Sequence, residues 1–244
     1  RIGYVVDNVP FSYFNQKNEL VGFDISFAHK LASDLDVEVE FIPFKKHQLS
    51  EYLNKGYFDI AMSGLEINVA DLTKVRFSHK VLELQLAILA KDYELARFKS
   101  IEQIRNSGDL NFAHMEYGPL LKEVSQRTSS IQFKQLTTLQ DYFKSSEQFD
   151  GLVISAEAGF AWSMFYPEYG VVVPQGGMQK YPVGFAVAKR NLDLLSYLNA
   201  WLAIQQTNGS IDNAYNYWIL GQGTQSKETR WSVLDDVIES DKKE

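Results

Sequence analysis

The fold is decided by residues 9–35, VPFSYFNQKNELVGFDISFAHKLASDL, which lie between two short apolar runs. Those runs, residues 1–6 and 37–42, have the length and the β-branched content of buried strands. The second half of the stretch predicts a helix with one apolar face, made of Ile25, Ala28, Leu31 and Leu35. Asp24 stands at its start, where a carboxylate accepts free backbone N–H groups. The order strand, loop, helix, strand predicts an α/β unit whose helix packs on a sheet.

The composition of the 244 residues is that of a globular protein, with 45% hydrophobic and 14% aromatic residues, enough for one large or two small domains. The net charge of −7 and the lack of clustered Lys and Arg argue against nucleic acid as a partner. The chain has no cysteine, which excludes disulfides, thiolate catalysis and cysteine-based metal sites. The histidines lack the paired spacing of metal ligands, so we expect neither a metal nor another cofactor.

The sequence predicts no membrane-spanning segment. No apolar run approaches ~20 residues, and no signal peptide is present. Because residue 1 begins almost directly in a strand, we expect that an upstream segment has been removed. The chain also lacks a phosphate-binding glycine loop and a nucleophile elbow, so no catalytic residue is predicted.

Strands and helices alternate downstream of a long apolar run at residues 81–91. The alternation continues to residue 173, includes helices predicted at residues 117–127 and 156–165, and predicts a parallel sheet covered on both faces. A further strand at residues 181–188 is followed by helices at 191–207 and 211–220. The tail, residues 221–244, is polar apart from an amphipathic segment at 231–238.

An ordered set of motifs resembles those of the extracytoplasmic solute-binding proteins of family 3, which bind polar amino acids. These motifs are PFSY at residues 10–13, LVGFD at 20–24, GYFDIAMSGL at 56–65, VRFS at 75–78, YPVGFAV at 181–187 and NGSI at 208–211. The resemblance implies an α/β, two-lobe periplasmic-binding-protein-like (type II) fold with two interlobe crossings. Lobe 1 would hold residues 1–85 and 186–244, the last of these including the tail, and lobe 2 would hold residues 86–185.

The resemblance also implies what the chain does. It would bind a small polar solute, an amino acid or related amine, in an interlobe cleft that closes about a hinge, for transport or sensing and with no bond broken. The chain would lie in the periplasm or otherwise outside the cytoplasm. We expect a monomer that works with a membrane transporter or receptor.

The loop that binds the solute's carboxylate in this family departs from the family pattern here. In the family an Arg a few residues after a Ser-Gly loop pairs bidentately with the α-carboxylate. Residues 58–62 predict a strand that ends at Ser63 and Gly64. Ser63, Gly64 and Leu65 keep the loop, but Glu66 takes the hydroxyl position and Asp71 the arginine position. Acids there would repel a carboxylate by about 1 kcal/mol or more each when water is excluded. An ordinary free amino acid is therefore a poor fit.

Other family positions are also altered. Asn8 stands where an aromatic residue often stacks on the ligand, and Lys45 or Lys46 stands at another aromatic position. Ser155 replaces the acid that usually binds the ligand's ammonium, although Glu157 is close. The ligand-binding residues that we predict are Asn8, Phe11, Lys46, Ser63, Gly64, Leu65, Glu66, Asp71, Arg76, Glu116, Tyr117, Ser155 and Glu157.

Two interpretations of these residues stay open. In one, the acids Glu66, Asp71, Glu116 and Glu157 accept hydrogen bonds from a cationic or polyhydroxyl solute that stacks on Phe11 or Tyr117. In the other, the acids are helix caps or solvated surface, and Phe11 belongs to the core. Arg76 would either rescue carboxylate binding or pair with Asp71 or Glu66.

Alternative functions follow from the same resemblance. The pocket could have degenerated in a signalling domain, or the chain could be a cyclohexadienyl-dehydratase-like enzyme with Glu66 or Glu116 as a general acid. Segments at residues 155–162, 217–221 and 230–237 are similar to binding domains associated with dicarboxylate/amino-acid:cation symporters. That similarity implies a tethered domain, with Trp231 and Leu234 docking on a lobe or a partner.

Overall fold

The computed structural model describes residues 1–15, 17–115, 131–136, 138–144, 148–175 and 180–222. Contacts within the chain divide it into two compact units. Unit 1 comprises Arg1–Glu83 and Pro182–Glu244, and unit 2 comprises Leu84–Tyr181. The helix predicted at residues 117–127 and the amphipathic segment at 231–238 lie outside the described residues.

Unit 1 is a sheet with helices packed on it. Its strands are β1 (Ile2–Tyr4), β2 (Tyr13–Phe14), β3 (Leu20–Val21), β4 (Phe41–Pro43), β5 (Ile60–Glu66), β6 (Val75–Phe77), the start of β7 (Leu82–Lys91) and most of β12 (Lys180–Ala188). Its helices are α1 (Phe23–Leu35), α2 (Leu49–Lys55), α3 (Val69–Leu72), α7 (Leu192–Thr207) and α8 (Ser210–Trp218). β1 lies between β4 and β5, parallel to both, and β12 runs antiparallel to β5 and β6.

Helix α1 buries an apolar face, as predicted, but the face differs at its end. Ile25, Ala28 and Leu31 are at most 2% exposed, whereas Leu35 is 40% exposed. Leu35 is the last helical residue, and Asp36 beyond it adopts a left-handed conformation that turns the chain away. The prediction that Leu35 belongs to the buried face was therefore wrong, because the helix ends at this residue and the chain turns away from the core.

Strand β5 is longer than predicted, and this changes the setting of the Ser63-Gly64 motif. We predicted a strand that ends at the motif, but β5 continues to Glu66. The extension pairs with β12, with Leu65 opposite Gly184 and Glu66 opposite Val183, and the register shifts at a bulge between Gly184 and Ala186. The motif therefore lies inside an irregular strand rather than in a loop.

Unit 2 has its own sheet. Its strands are most of β7, β8 (Leu110–His114), β9 (Ile131–Gln135), β10 (Gly151–Ser155) and β11 (Tyr169–Val172), and its helices are α4 (Ile101–Asn106), α5 (Leu139–Lys144) and α6 (Ala156–Phe165). β8, β9 and β10 are parallel, as predicted, but β7 pairs antiparallel with β10 and β11. The prediction of a wholly parallel sheet was wrong, because the alternation of strands and helices does not show which strands become neighbours. A core cluster that includes Ile88, Phe98 and Phe112 fills the unit.

No helix in the described parts of the chain is long and apolar enough to cross a membrane.

Candidate functional site

Ser63 is the centre of a buried polar network at the end of β1. Its hydroxyl lies 2.5 Å from the hydroxyl of Ser12 and accepts a hydrogen bond from the N–H of Val5 at 3.1 Å. The amide of Asn8 donates to the Ser63 carbonyl at 2.8 Å. Because Ser12 and Ser63 are fully buried, these bonds satisfy groups that would otherwise cost free energy. Asn8 and Ser63, both predicted as ligand-binding, thus hold β1, the following turn and β5 together.

Gly64 packs against Phe11 and requires the absence of a side chain. Its φ is +57°, and a Cβ atom there would lie 2.6 Å from the Phe11 ring. Phe11 is 3% exposed and meets Phe23 edge to face, with centroids 6.3 Å apart. The Phe11 ring is therefore part of the core and presents no open face for stacking.

Asp24 connects helix α1 to β5. Its carboxylate accepts a hydrogen bond from the Gly64 N–H at 2.5 Å, and the residue is 3% exposed. Burial raises the pKa of Asp24 to about 7, and the bond from Gly64 acts in the opposite direction. We expected Asp24 to accept N–H groups of its own helix. That expectation was wrong, because no side chain caps α1 and Asp24 turns inward to β5.

Asp71 occupies the position of the family's arginine and belongs to a helix cap. Asn68 caps α3 by accepting the Asp71 N–H at 2.9 Å, and its amide donates to the Asp71 carboxylate at 2.8 Å. Leu65 is 4% exposed and joins the unit 1 core, while Glu66 is half-buried. Of the two interpretations of the acids, the one that assigns them to helix caps therefore describes the geometry of Asp71.

Arg76 and Lys46 lie at other places in unit 1. Arg76 is half-buried on β6, opposite Val187 of β12. The predicted ion pair with Asp71 or Glu66 was wrong: no ion pair of Arg76 occurs among the described residues, and the Asp71 carboxylate is held by Asn68. Lys46 is exposed and opens a short 3-10 helix, Lys46–Gln48.

Ser155 and Glu157 lie together at the start of α6 in unit 2. The Ser155 hydroxyl caps the helix by accepting the Ala158 N–H at 3.1 Å. Glu157 is 7% exposed, and its Oε2 has no hydrogen-bond partner in the described part of the protein. Burial raises the pKa of Glu157, while its own N–H, the N–H of Gln85 and the charge of Lys180 oppose that rise. Glu157 is thus a buried acid with one oxygen in need of a donor.

The remaining predicted residues, Glu116 and Tyr117, lie outside the described residues. Within the ranges that the structure does describe, no group of His, Cys, Asp and Glu side chains could hold a metal ion. Sequence reasoning missed Ser12 and the Asp24–Gly64 bond. Ser12 and Asp24 both lie in motifs that the sequence analysis singled out. A motif does not show which distant residues its side chains contact.

Residues 1–221 match the bacterial extracellular solute-binding proteins, family 3. The chain belongs to this family. It is 24% identical to ABC transporter arginine-binding protein 1 of Escherichia coli, over 86% of each chain. It is 25% identical to cyclohexadienyl dehydratase of Pseudomonas aeruginosa, over 90% of this chain and 82% of that one. An ancestral cationic amino acid solute-binding protein has 28% identity and a TM-score of 0.77, over 90% of this chain and 94% of that one.

Membership confirms several expectations. The fold is mixed α/β of the type II periplasmic-binding-protein class, and the chain is an extracytoplasmic solute-binding protein. Two of its curated relatives and the ancestral structure are binding proteins, and the Pseudomonas aeruginosa relative is an enzyme. The predicted association with a symporter stays a prediction.

Proposed function

We propose that this chain captures a small cationic solute related to arginine, with an amine that lacks the carboxylate accepted at least as well as the amino acid, and delivers it unchanged to a membrane transporter. The names of the Escherichia coli relative and of the ancestral structure support the cationic amino acid class. The same Escherichia coli name supports an ABC transporter as the membrane partner.

Glu157 carries the proposal. A carboxylate oxygen that is buried without a hydrogen-bond donor costs folding free energy, and such groups are rare in native proteins. An ammonium or guanidinium group supplies both the missing donor and the opposite charge, and such charge-assisted bonds are roughly twice as strong as neutral ones. In this family an acid near this position binds the ligand's ammonium, so Glu157 is suited to take over from Ser155.

The position that binds the carboxylate in the family points to the same class of solute. Asp71 cannot pair with a carboxylate, and its own oxygen is held by the Asn68 amide. Glu66 adds a second negative charge to the same segment. These features favour a solute whose carboxylate is absent over an ordinary amino acid, because like charges that are shielded from water repel strongly.

A matched pair of solutes tests the proposal by calorimetry on the full chain. Agmatine has the guanidinium and aliphatic chain of arginine but no carboxylate. We expect agmatine to bind at least as tightly as L-arginine. Weak binding of agmatine together with tight binding of arginine would contradict the proposal that the carboxylate-binding arginine of the family is missing here. If neither agmatine, arginine nor a related amine binds, the result would favour a signalling domain whose pocket has degenerated.

The Glu157→Gln variant tests the acid itself. Replacing the carboxylate with an amide of equal size should weaken the binding of agmatine roughly tenfold or more, because a hydrogen bond to a charged group is lost. The control is Glu102→Gln, which changes an exposed acid in the same unit. Unchanged affinity in folded Glu157→Gln would refute the role of Glu157.

A second candidate is a cyclohexadienyl-dehydratase-like activity, favoured by the Pseudomonas aeruginosa relative. Because burial raises the pKa of Glu157, this acid is also suited to donate a proton to a leaving group. Turnover of a cyclohexadienyl substrate by the purified chain, lost in Glu157→Gln, would replace the binding proposal.

A further inference from the structure

Unit 2 contains a cavity that is separate from the residues predicted to bind the transported solute. Its volume is about 530 Å³, within the range of small-molecule sites. The cavity lies where β7 ends, beside the 3-10 segment Asp92–Phe98. None of the predicted ligand-binding residues lines it.

Aromatic rings form one wall of this cavity. Tyr142 meets Phe143 and Tyr169 edge to face, with centroids 5.2 and 5.6 Å apart, and Phe143 meets Tyr169 in the same way at 5.1 Å. The Tyr142 hydroxyl donates to the Leu89 carbonyl at 3.2 Å, and Phe143 stacks on Tyr166 at 3.7 Å. These contacts fix the wall, which suits a flat apolar group.

The acids of the cavity are already paired. Arg97 donates through its Nη1 atom to Glu94 at 2.6 Å and to Asp150 at 3.1 Å. The other oxygen of Asp150 accepts the N–H of Asn111 at 2.8 Å. Arg97 therefore bridges both carboxylates with one positive charge, and its Nε and Nη2 atoms donate no hydrogen bond among the described residues.

Lys91 adds a second positive charge to the cavity. It lies directly opposite Tyr169 in the β7–β11 pair, so the two side chains share a face. Lys91 forms no ion pair with any carboxylate among the described residues, and its charge acts on Tyr169, where it opposes the burial that raises the pKa of the phenol. The four charged side chains that line the cavity balance, two positive and two negative, and Lys91 is the one of them without an ion-pair partner in the described part of the chain.

We propose that this cavity is a second binding site, for a small planar monoanion such as an aromatic carboxylate. The carboxylate pairs with Lys91 and with the remaining donors of Arg97, and the ring packs against Tyr142, Phe143 and Tyr169. This chemistry is opposite in charge to that of the transported solute, so the two sites select different molecules.

Benzoate and benzamide are the probes, because both are planar and nearly equal in size and benzoate alone is charged. Calorimetry on the full chain should show benzoate binding at least tenfold tighter than benzamide. Lys91→Gln should weaken benzoate binding toward the affinity of benzamide, whereas Lys99→Gln, which changes an exposed lysine away from the cavity, should leave benzoate binding unchanged. Melting curves verify that both variants are folded.

Several results would overturn this second site. They are equal affinity of benzoate and benzamide, unchanged benzoate binding in Lys91→Gln, and displacement of benzoate by agmatine, which would place benzoate at the transport site. The absence of benzoate binding at millimolar concentration would overturn it as well.

Discussion

Gly64 is a residue where backbone conformation and packing both exclude a side chain. Its φ of +57° disfavours any residue with a Cβ atom, and the Phe11 ring occupies the place of that atom. Gly64→Ala should therefore destabilise the protein by roughly 2–4 kcal/mol, from strain and overpacking together. Gly108→Ala is the control, since φ is +79° there but nothing lies within 4 Å. Equal losses in chemical denaturation would show that packing against Phe11 contributes nothing.

Asp24 makes stability depend on pH in a definite direction. Its pKa is raised from 3.8 to about 7, so between these values the folded state keeps a proton that the unfolded state loses. The contribution to stability is complete below pH 4 and is lost as pH rises through 7. The total is on the order of 4 kcal/mol.

The Asp24→Asn variant measures this contribution, since its amide oxygen still accepts the Gly64 N–H. Denaturation from pH 4 to 8 should show the wild-type protein losing more free energy of unfolding than the variant. The exposed Asp36→Asn variant should follow the wild-type protein. Parallel curves for Asp24→Asn and the wild-type protein would refute the raised pKa.

At the scale of elements, we propose that the segment from β5 to α3 decides which solute the chain accepts. Asp71→Arg with Glu66→Ser would restore the arginine position of the family and remove both acids. We expect the double variant to gain affinity for L-arginine at least tenfold and to gain none for agmatine, because a bidentate pair forms only with a carboxylate. Equal changes in the affinities of L-arginine and agmatine, measured by calorimetry, would contradict the proposed role of this segment. The loss of the Asn68–Asp71 bond should cost about 1 kcal/mol of stability.

Elements whose ends are marked locally could be predicted from the sequence, and those shaped by distant contacts could not. Helix α6 begins at Ala156 because Ser155 caps it, and the prediction at residues 156–165 was confirmed. Strand β5 was predicted too short, because its extension depends on pairing with β12, more than a hundred residues later. The site shows the same division: Ser63 and Gly64 were singled out by their motif, but the contact between Ser12 and Ser63 joins residues 51 apart.

At the scale of the whole molecule, an ordered set of modest motifs identified the family, and the departures from the family pattern carry the prediction of the solute. Residues 1–221 match a family of extracellular solute-binding proteins. Capture of the solute by closure about a hinge, which the resemblance implies, stays a prediction. The central claim is that the chain binds a cationic amine and releases it unchanged.

Nuclear magnetic resonance of isotopically labelled agmatine with the full chain tests this claim most directly. We predict that the agmatine signals shift and broaden as the protein is added, and that the solute recovered after denaturing the protein is chemically unchanged. Signals that do not respond to the protein, or a new product in the recovered solute, would contradict the claim.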